Sequence, residues 1–544
     1  MLCFTRLSKE RRPARYQLRT LGDLLILISR KASQCTQFEH QLIWSIVMVS
    51  TVTGISASDI TASDAQPTNN SSRGKTVAVI GSGISGLSAA WLLSKKHAVT
   101  LFEKDDRFGG HSNTVTVKTK DGPIPVDTGF IVFNPVNYPN LTALFKHIGV
   151  DAPATDMSFA VSAEKGSIEY NGNGLAGIFP TLGNVFNPRI WRMLKDVLRF
   201  YKECGSWQNS LPEEMTLGEL LAQYHYSDDF RDLHLIPMGA AIWSTPADQM
   251  LDYPARAFLN FCQNHGLLQV ENRPQWHTVR GGSREYVSKL IREIQPAAFC
   301  NRGARQVIRP SGKAGDTDKV IVVDSRGELR EFDEVVLACH ANEALQLLTN
   351  PTAQEQHLLG AFSYQRNKAI LHSDTHLMPE NRKVWSSWNY LRGSKGEQHN
   401  QQSLAVSYWM NKLQPLETDQ PLIVTLNPPT EPAEGSIHCS FLYDHPVFDK
   451  NAMAAQQELH KLQGQNHTWF CGAYFGFGFH EDGLQSGLAV AEALGNVRRP
   501  WQVKNESGRI HWPGHISTGQ HAVSDHSTDT HKVLAGNSPQ SNAS

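Results

Sequence analysis

The stretch Thr76 to His111, TVAVIGSGISGLSAAWLLSKKHAVTLFEKDDRFGGH, leaves this chain few alternatives. Val77 to Ile80 is a short unbroken apolar run, the pattern of a strand buried on both faces. Gly81, Gly83 and Gly86 follow as G-x-G-x-x-G, with Ser82 and Ser85 between them. Leu87 to Leu93 continues in helix formers, and Ala98 to Phe102 is a second strand ending at Glu103. Gly81 permits a tight turn, Gly83 leaves room for a pyrophosphate, and Gly86 lets the helix pack close to the strand. The free N–H groups at the helix start favour an anion. Glu103 stands about 20 residues on, where a carboxylate accepts both ribose hydroxyls of an adenosine and repels a 2′-phosphate. Together these features predict a dinucleotide site in an α/β, Rossmann-type domain.

The 544 residues are enough for two or three domains. The hydrophobic share of 40% and charged share of 19% are those of an ordinary globular enzyme. A formal net charge of −1 gives no nucleic-acid surface. The eight cysteines are scattered without a C-x-x-C pair or zinc spacing, so neither a metal site nor a disulfide framework is expected.

Residues 1–72 differ from the rest. Six basic residues from Arg6 to Arg19 cluster around a single acid, Glu10. Leu42 to Ser58 is uncharged and partly apolar, marginal for a membrane span of about 20 residues. A mitochondrial-type presequence, a membrane anchor and a disordered extension all stay open, and so does localisation. Residues 501–544, rich in His, Ser and Gly, read as a disordered tail.

After Glu103 and Lys104 comes Asp106-Arg107-Phe108-Gly109-Gly110-His111. Here the chain resembles the flavin-containing amine oxidase and phytoene desaturase superfamily, whose members follow the ribose-binding acid with a similar R-x-G-G turn. Many amine oxidases carry Arg where this chain has His111. The resemblance implies FAD as cofactor, with Arg107, Gly109, Gly110 and His111 along its diphosphate and ribityl chain. It implies that Thr128, Gly129 and Phe130 line the isoalloxazine edge, the alternative being an ordinary buried strand. Val279-Arg280-Gly281-Gly282-Ser283 resembles a third glycine motif, and Val307 matches a valine whose backbone holds the adenine. Trp469 to Leu494 resembles the C-terminal flavin motif, with Gly472, Glu481, Asp482 and Gly483 at the ring end. One of Glu481 and Asp482 is expected to cap the helix and the other to bind ribityl hydroxyls.

The implied fold is a two-dinucleotide-binding-domain flavoprotein. An α/β FAD-binding domain (73–150, 276–340, 466–500) interleaves with an α+β substrate domain (151–275, 341–465). Ile190, Trp191, Leu194, Val197, Leu198 and Tyr201 form an apolar stripe expected in the core or a substrate-tunnel wall. No second dinucleotide fingerprint occurs, so the substrate is expected to reduce the flavin. The implied function is an FAD-dependent oxidoreductase moving hydride from a small, apolar, lipid- or isoprenoid-like substrate to flavin N5. The alternatives are a flavin amine oxidase, with Tyr474, Trp409 or Tyr408 as an aromatic cage, and a flavoprotein scaffold. No catalytic residue is assigned; His340, Lys368 and His480 are candidates by residue type only. Membrane association through residues 1–72 is a further open reading.

Overall fold

The computed structural model describes residues 74–512, apart from 165, 208–209, 213, 244–246, 265, 269–272, 295–296, 311–317 and 393–404. The chain divides into two units, Met1–Ser72 and Arg73–Ser544, and all described residues belong to the second. The readings made for residues 1–72 therefore lie outside the described residues.

In chain order, β1 (Thr76–Ile80), α1 (Ile84–Leu93) and β2 (Ala98–Phe102) open the fold, followed by the hairpin β3 (Thr114–Thr119) and β4 (Gly122–Asp127). Helix α2 (Pro139–His147), strands β5 (Phe159–Ala163) and β6 (Ile168–Asn171), and helices α3 (Gly174–Ile178), α4 (Leu182–Phe186) and α5 (Pro188–Trp207) come next. Then follow α6 (Arg284–Ile294), β7 (Ala298–Phe299), β8 (Ala304–Ile308), β9 (Val320–Asp324), β10 (Leu329–Phe332) and β11 (Glu334–Leu337). The last elements used below are β12 (Ser363–His372), β13 (Trp388–Arg392), β14 (Ala405–Trp409), β15 (Ile423–Leu426), β16 (Ile437–Val447), β17 (Thr468–Phe470) and α7 (His480–Gly495).

Three distant segments build one parallel sheet in the order β7-β2-β1-β11-β17. Val77, Ala78 and Val79 of β1 are fully buried at its centre, as their unbroken apolar run requires. All ten residues of α1 are buried, because α1 is covered by other helices: Trp91 donates from Nε1 to Glu293 of α6 at 2.8 Å. A second sheet runs β16-β12-β15-β14-β13-β5-β6, antiparallel except where β13 meets β5. The small meander β8-β9-β10 lies between β7 and β11 in sequence. The meander ends at Phe332 and β11 starts at Glu334.

Two expectations are corrected. Along α5, Ile190 and Val197 are buried, but Trp191 and Leu198 face solvent, so the apolar stripe is not all core or tunnel wall. Residues 501–512 do not belong to a disordered tail. Trp501 stacks on Trp91 with ring centroids 5.9 Å apart, and Arg509 pairs with the buried Asp482.

Candidate functional site

At the end of β1 the chain turns on Gly81 (φ +101°), whose N–H donates to the Phe102 carbonyl at 2.9 Å. Helix α1 begins with the Leu87 N–H donating to the Gly83 carbonyl at 2.9 Å, and Gly83 at its N-cap offers no side chain. The first N–H groups of a helix have no intrahelical acceptor. A β-carbon at Gly83 would meet nothing within 4 Å, so the space above these donors is open. One at Gly86 would lie 1.9 Å from the Gly81 carbonyl oxygen. The two glycines thus do different work: Gly83 keeps a cradle open and Gly86 closes the loop onto its helix. This cradle fits a dinucleotide diphosphate.

Glu103 is 6% exposed and held by three donors. Its Oε2 accepts the Ser82 N–H (2.9 Å) and hydroxyl (2.5 Å), and its Oε1 accepts the Asp105 N–H (2.9 Å). The Ser82 oxygen atoms in turn accept the Gly109 N–H, each at 3.1 Å. A β-carbon at Gly110 would sit 3.1 Å from the Gly83 Cα, so the Arg107–Gly110 turn lies against the cradle. Arg107 closes that turn by donating to the Ser112 carbonyl at 3.2 Å. The Ser85 hydroxyl faces Cys471, whose thiol burial pushes up to about 12. Lys104 pairs with Glu343 at 2.5 Å and is largely exposed.

Helix α7 crosses α1 at the closest range. A β-carbon at Gly487 would lie 2.2 Å from the Ser85 carbonyl oxygen, and one at Gly483 would lie 2.8 Å from Ile84 Cγ2. This contact brings the N-terminus of α7 beside that of α1. Gly472 donates its N–H to Ser486 Oγ at 3.0 Å, and the Tyr474 ring covers its Cα.

Of the two acids of α7, one takes the expected capping role. Asp482 caps its own helix, Oδ2 accepting the Phe479 and Phe477 N–H groups at 2.8 and 3.0 Å, and Arg509 pairs with its Oδ1 at 2.6 Å. Glu481 caps α2 instead of meeting ribityl hydroxyls. It accepts the Asn140 and Leu141 N–H groups (both 3.0 Å), Asn140 Nδ2 (2.8 Å) and Gln485 Nε2 (3.0 Å). Burial raises both carboxyls above their ordinary range, and Arg509 opposes this. Val307 lies on β8. It is fully buried, and its carbonyl accepts the Thr349 N–H at 3.2 Å. The backbone at the Glu103 end belongs to Asn301 and Arg302, whose N–H groups bond the Asp105 and Glu103 carbonyls.

At the ring end, Thr128 Oγ1 and Asn113 Nδ2 meet the Tyr443 hydroxyl at 2.8 and 2.9 Å. Gly129 presses on the His111 carbonyl, to which Phe130 donates its N–H at 2.8 Å. The Phe130 ring stacks on His480, centroids 3.7 Å apart. His480 Nε2 lies 2.8 Å from the Tyr286 hydroxyl and 3.1 Å from Ser112 Oγ. Asp127 accepts the Ser283 N–H at 2.9 Å and its hydroxyl at 2.7 Å, seating the Gly281-Gly282 turn. Of the three candidates by residue type, only His480 reaches this cluster. His340 opens the helix Ala341–Leu347 and stacks on Tyr364, and Lys368 pairs with Glu431 on the surface.

A chain of hydrogen bonds sets the tautomers here. The Lys368 N–H can only donate, so Asn427 receives it through Oδ1 (2.9 Å) and donates from Nδ2 to Asn367 Oδ1 (2.7 Å). Asn367 Nδ2 then faces His445 Nδ1 at 3.0 Å, making that nitrogen an acceptor. His445 therefore carries its proton on Nε2 and gives it to His111 Nε2 at 2.9 Å, leaving the His111 proton on Nδ1. Burial keeps both rings neutral: His445 is lowered to about 4 and His111 well below its usual value. Asn367→Asp turns the donor into an acceptor. It should move the His445 proton to Nδ1 and raise its pKa, which ¹⁵N shifts of the histidine ring nitrogens in the apoprotein would register. Unchanged shifts would reject the chain. The sequence gives no signal for this relay, since His111 and His445 lie 334 positions apart.

A family model for an NAD(P)-binding Rossmann-like domain matches residues 79–148. The flavin-containing amine oxidase A of Sus scrofa is 29% identical over 288 residues, 50% of each chain, so this chain spans about half the length of that curated relative. A CLA-producing fatty acid isomerase from P. acnes is similar in structure, with TM-score 0.53 and 16% identity over 78% of this chain and 98% of that one. Cyclohexylamine oxidase from Brevibacterium oxydans gives TM-score 0.55 and 15% identity over 78% and 99%. These two likenesses speak for the fold. Read with the glycine cradle, the Glu103 platform and the α7 crossing, the Rossmann-like match and the amine oxidase relative support the likeness to the flavin-containing amine oxidase and phytoene desaturase superfamily.

Proposed function

We propose that this protein is an FAD-dependent oxidoreductase acting on a C–H bond of a small, apolar substrate. The observation that carries the reading is the convergence of two helix N-termini, α1 and α7, forced together by Gly483 and Gly487 beside the open cradle at Gly83. Bound FAD would supply a two-electron, hydride-accepting ring. The α1 N-terminus would hold the diphosphate and Glu103 the adenosine ribose. The N–H groups of α7 would face the charge that the ring gathers on reduction. The neutral His111 and His480 would leave that charge to the helix and keep the ring end dry.

Two features favour an apolar substrate. Phe261 stacks on Phe479 at 4.8 Å just before α7, and the acids nearest that point, Glu481 and Asp482, are already engaged with Asn140 and Arg509. A substrate ammonium would find neither carboxylate free. Tyr408 and Trp409 cannot both belong to one amine cage. Tyr408 and Trp409 are consecutive on β14 and so face opposite sides of the sheet, with Trp409 packed on Trp385 and Tyr408 on Trp388. The amine reading keeps the support of the Sus scrofa relative's name.

The test is anaerobic bleaching of the flavin band in the full-length holoprotein, with unsaturated fatty acids, isoprenoids and primary amines as probes. Bleaching by the lipids alone is expected; bleaching by amines alone would overturn the apolar-substrate reading. A companion variant checks the cofactor. Glu103→Ala should weaken FAD binding by about 10–100-fold, the loss of one or two charge-assisted bonds, measured by fluorescence titration.

A further inference from the structure

The outer side of α3, α4 and α5 is apolar where a globular surface should be polar. Leu175 is 72% exposed, Leu182 77%, Phe186 81%, Trp191 50% and Leu198 53%. Val185 on α4 is 37% exposed, and the other large exposed apolar residues among those described, Val136, Leu329 and Leu442, lie on separate segments. Trp191 ties α5 to the segment before it. Trp191 donates from Nε1 to the Val185 carbonyl at 2.8 Å, and its ring lies 4.8 Å from that of Phe179. Its side chains are not needed for the core, because α5 is anchored through Ile190, Met193, Val197, Phe200 and Cys204 on its other face. An exposed apolar surface of this kind marks an interaction site.

The charges on the same face are basic. Lys195 and Lys202 are exposed, about one and three turns beyond Trp191, and no ion pair involving them occurs among the described residues. The acids of α5 point elsewhere: Asp196 is buried and accepts the Ser227 N–H at 3.0 Å, and Glu203 accepts the Tyr226 hydroxyl at 2.6 Å. Glu164 and Asp229 are taken by Arg189 and Arg192. Leucine and phenylalanine at the centre, a tryptophan, and flexible lysines beside them match the interfacial zone of a bilayer. Among the described residues no helix is long and apolar enough to cross a membrane, so contact here would lie in the plane of the surface.

We propose that α3, α4 and the outer face of α5 dock on an anionic lipid bilayer, with Leu182, Phe186, Trp191 and Leu198 entering the interface and Lys195 and Lys202 meeting lipid phosphates. This surface is distinct from residues 1–72 and does not depend on the redox reading.

The experiment is co-sedimentation of full-length holoprotein with vesicles of phosphatidylcholine, with and without phosphatidylserine. Binding to the phosphatidylserine vesicles is expected, weakening as salt rises. Leu182→Ser/Phe186→Ser/Trp191→Ser/Leu198→Ser should lower it at least tenfold in the full chain, and Lys195→Glu/Lys202→Glu should remove the preference for phosphatidylserine. Flavin absorbance confirms that each variant is folded. If the quadruple variant loses flavin, Phe186→Cys carrying an environment-sensitive dye replaces it, and a blue shift on vesicle addition is expected. Equal sedimentation of parent and quadruple variant, no binding by the parent, or an unshifted dye would overturn the proposal. So would a light-scattering mass showing a dimer of the parent that the variant abolishes, which would assign the patch to a second copy. None of these readings involves turnover, so they succeed or fail apart from the proposed reaction.

Discussion

Gly83→Asp should abolish FAD binding while leaving the apoprotein as stable as before, or slightly more so. Gly83 has φ −61° and ψ 175°, an extended conformation open to any L-residue, and a β-carbon there would touch nothing within 4 Å. It is the N-cap of α1, where a carboxylate accepts the unpaired N–H groups and stabilises a helix. The same carboxylate would fill the space reserved for the diphosphate, with the wrong charge. The expected loss of FAD affinity exceeds about 100-fold, roughly 3 kcal/mol. Gly86→Ala should behave in the opposite way. Its methyl would sit 1.9 Å from the Gly81 carbonyl oxygen, which is backbone and cannot swing aside. The loop or α1 must move, at a cost of about 1–3 kcal/mol or more, and the apoprotein should melt earlier. Calorimetry of both apoproteins, with FAD titrations, separates the two roles. Equal melting of Gly86→Ala and parent, or FAD retained by Gly83→Asp, would break the assignment of cradle and clasp.

Acid should unfold the protein well above the pH at which its ordinary carboxylates protonate. Burial lowers His234, His372 and His445 to about 4 and His480 to about 3, against 6.5 for a free histidine. The unfolded chain therefore takes up protons below pH 6.5 that the native chain refuses until about pH 4. Stability present above pH 6.5 is lost as the pH falls through that window. At pH 5 each ring withdraws about 2 kcal/mol, and four withdraw about 8, comparable with the whole stability of a typical domain. Asp127 acts in the other direction, because burial raises it to about 6 and the native state binds its proton first. Its contribution at pH 5 is about 1–2 kcal/mol, so the histidines prevail. Melting temperatures of the holoprotein from pH 7.5 to 4.5 should drop steeply below pH 6.5, and His480→Gln should flatten the curve. A midpoint constant from pH 7 to 5 would show that these rings titrate normally.

The sequence by itself determined the nucleotide end of the site. Gly81 bonds to Phe102, and Ser82 bonds to both Glu103 and Gly109, all within the strand–turn–helix–strand unit and the turn that follows it, so these contacts arise from local geometry and appear as a contiguous pattern. The close meeting of Gly487 with Ser85 depends on how α7 crosses α1 and had no such local signal. Only the tertiary structure decided the rest. Glu481 caps a helix 341 positions away, and Arg509 neutralises Asp482 from a segment whose composition suggested disorder. On α5, Ile190 and Trp191 are both apolar, and periodicity cannot tell which of two adjacent apolar faces will meet the core. A hydrogen bond or a packing face is fixed by whatever the fold brings opposite it. Residue type limits what a side chain can do, and its partner, often hundreds of positions distant, selects which of those things it does.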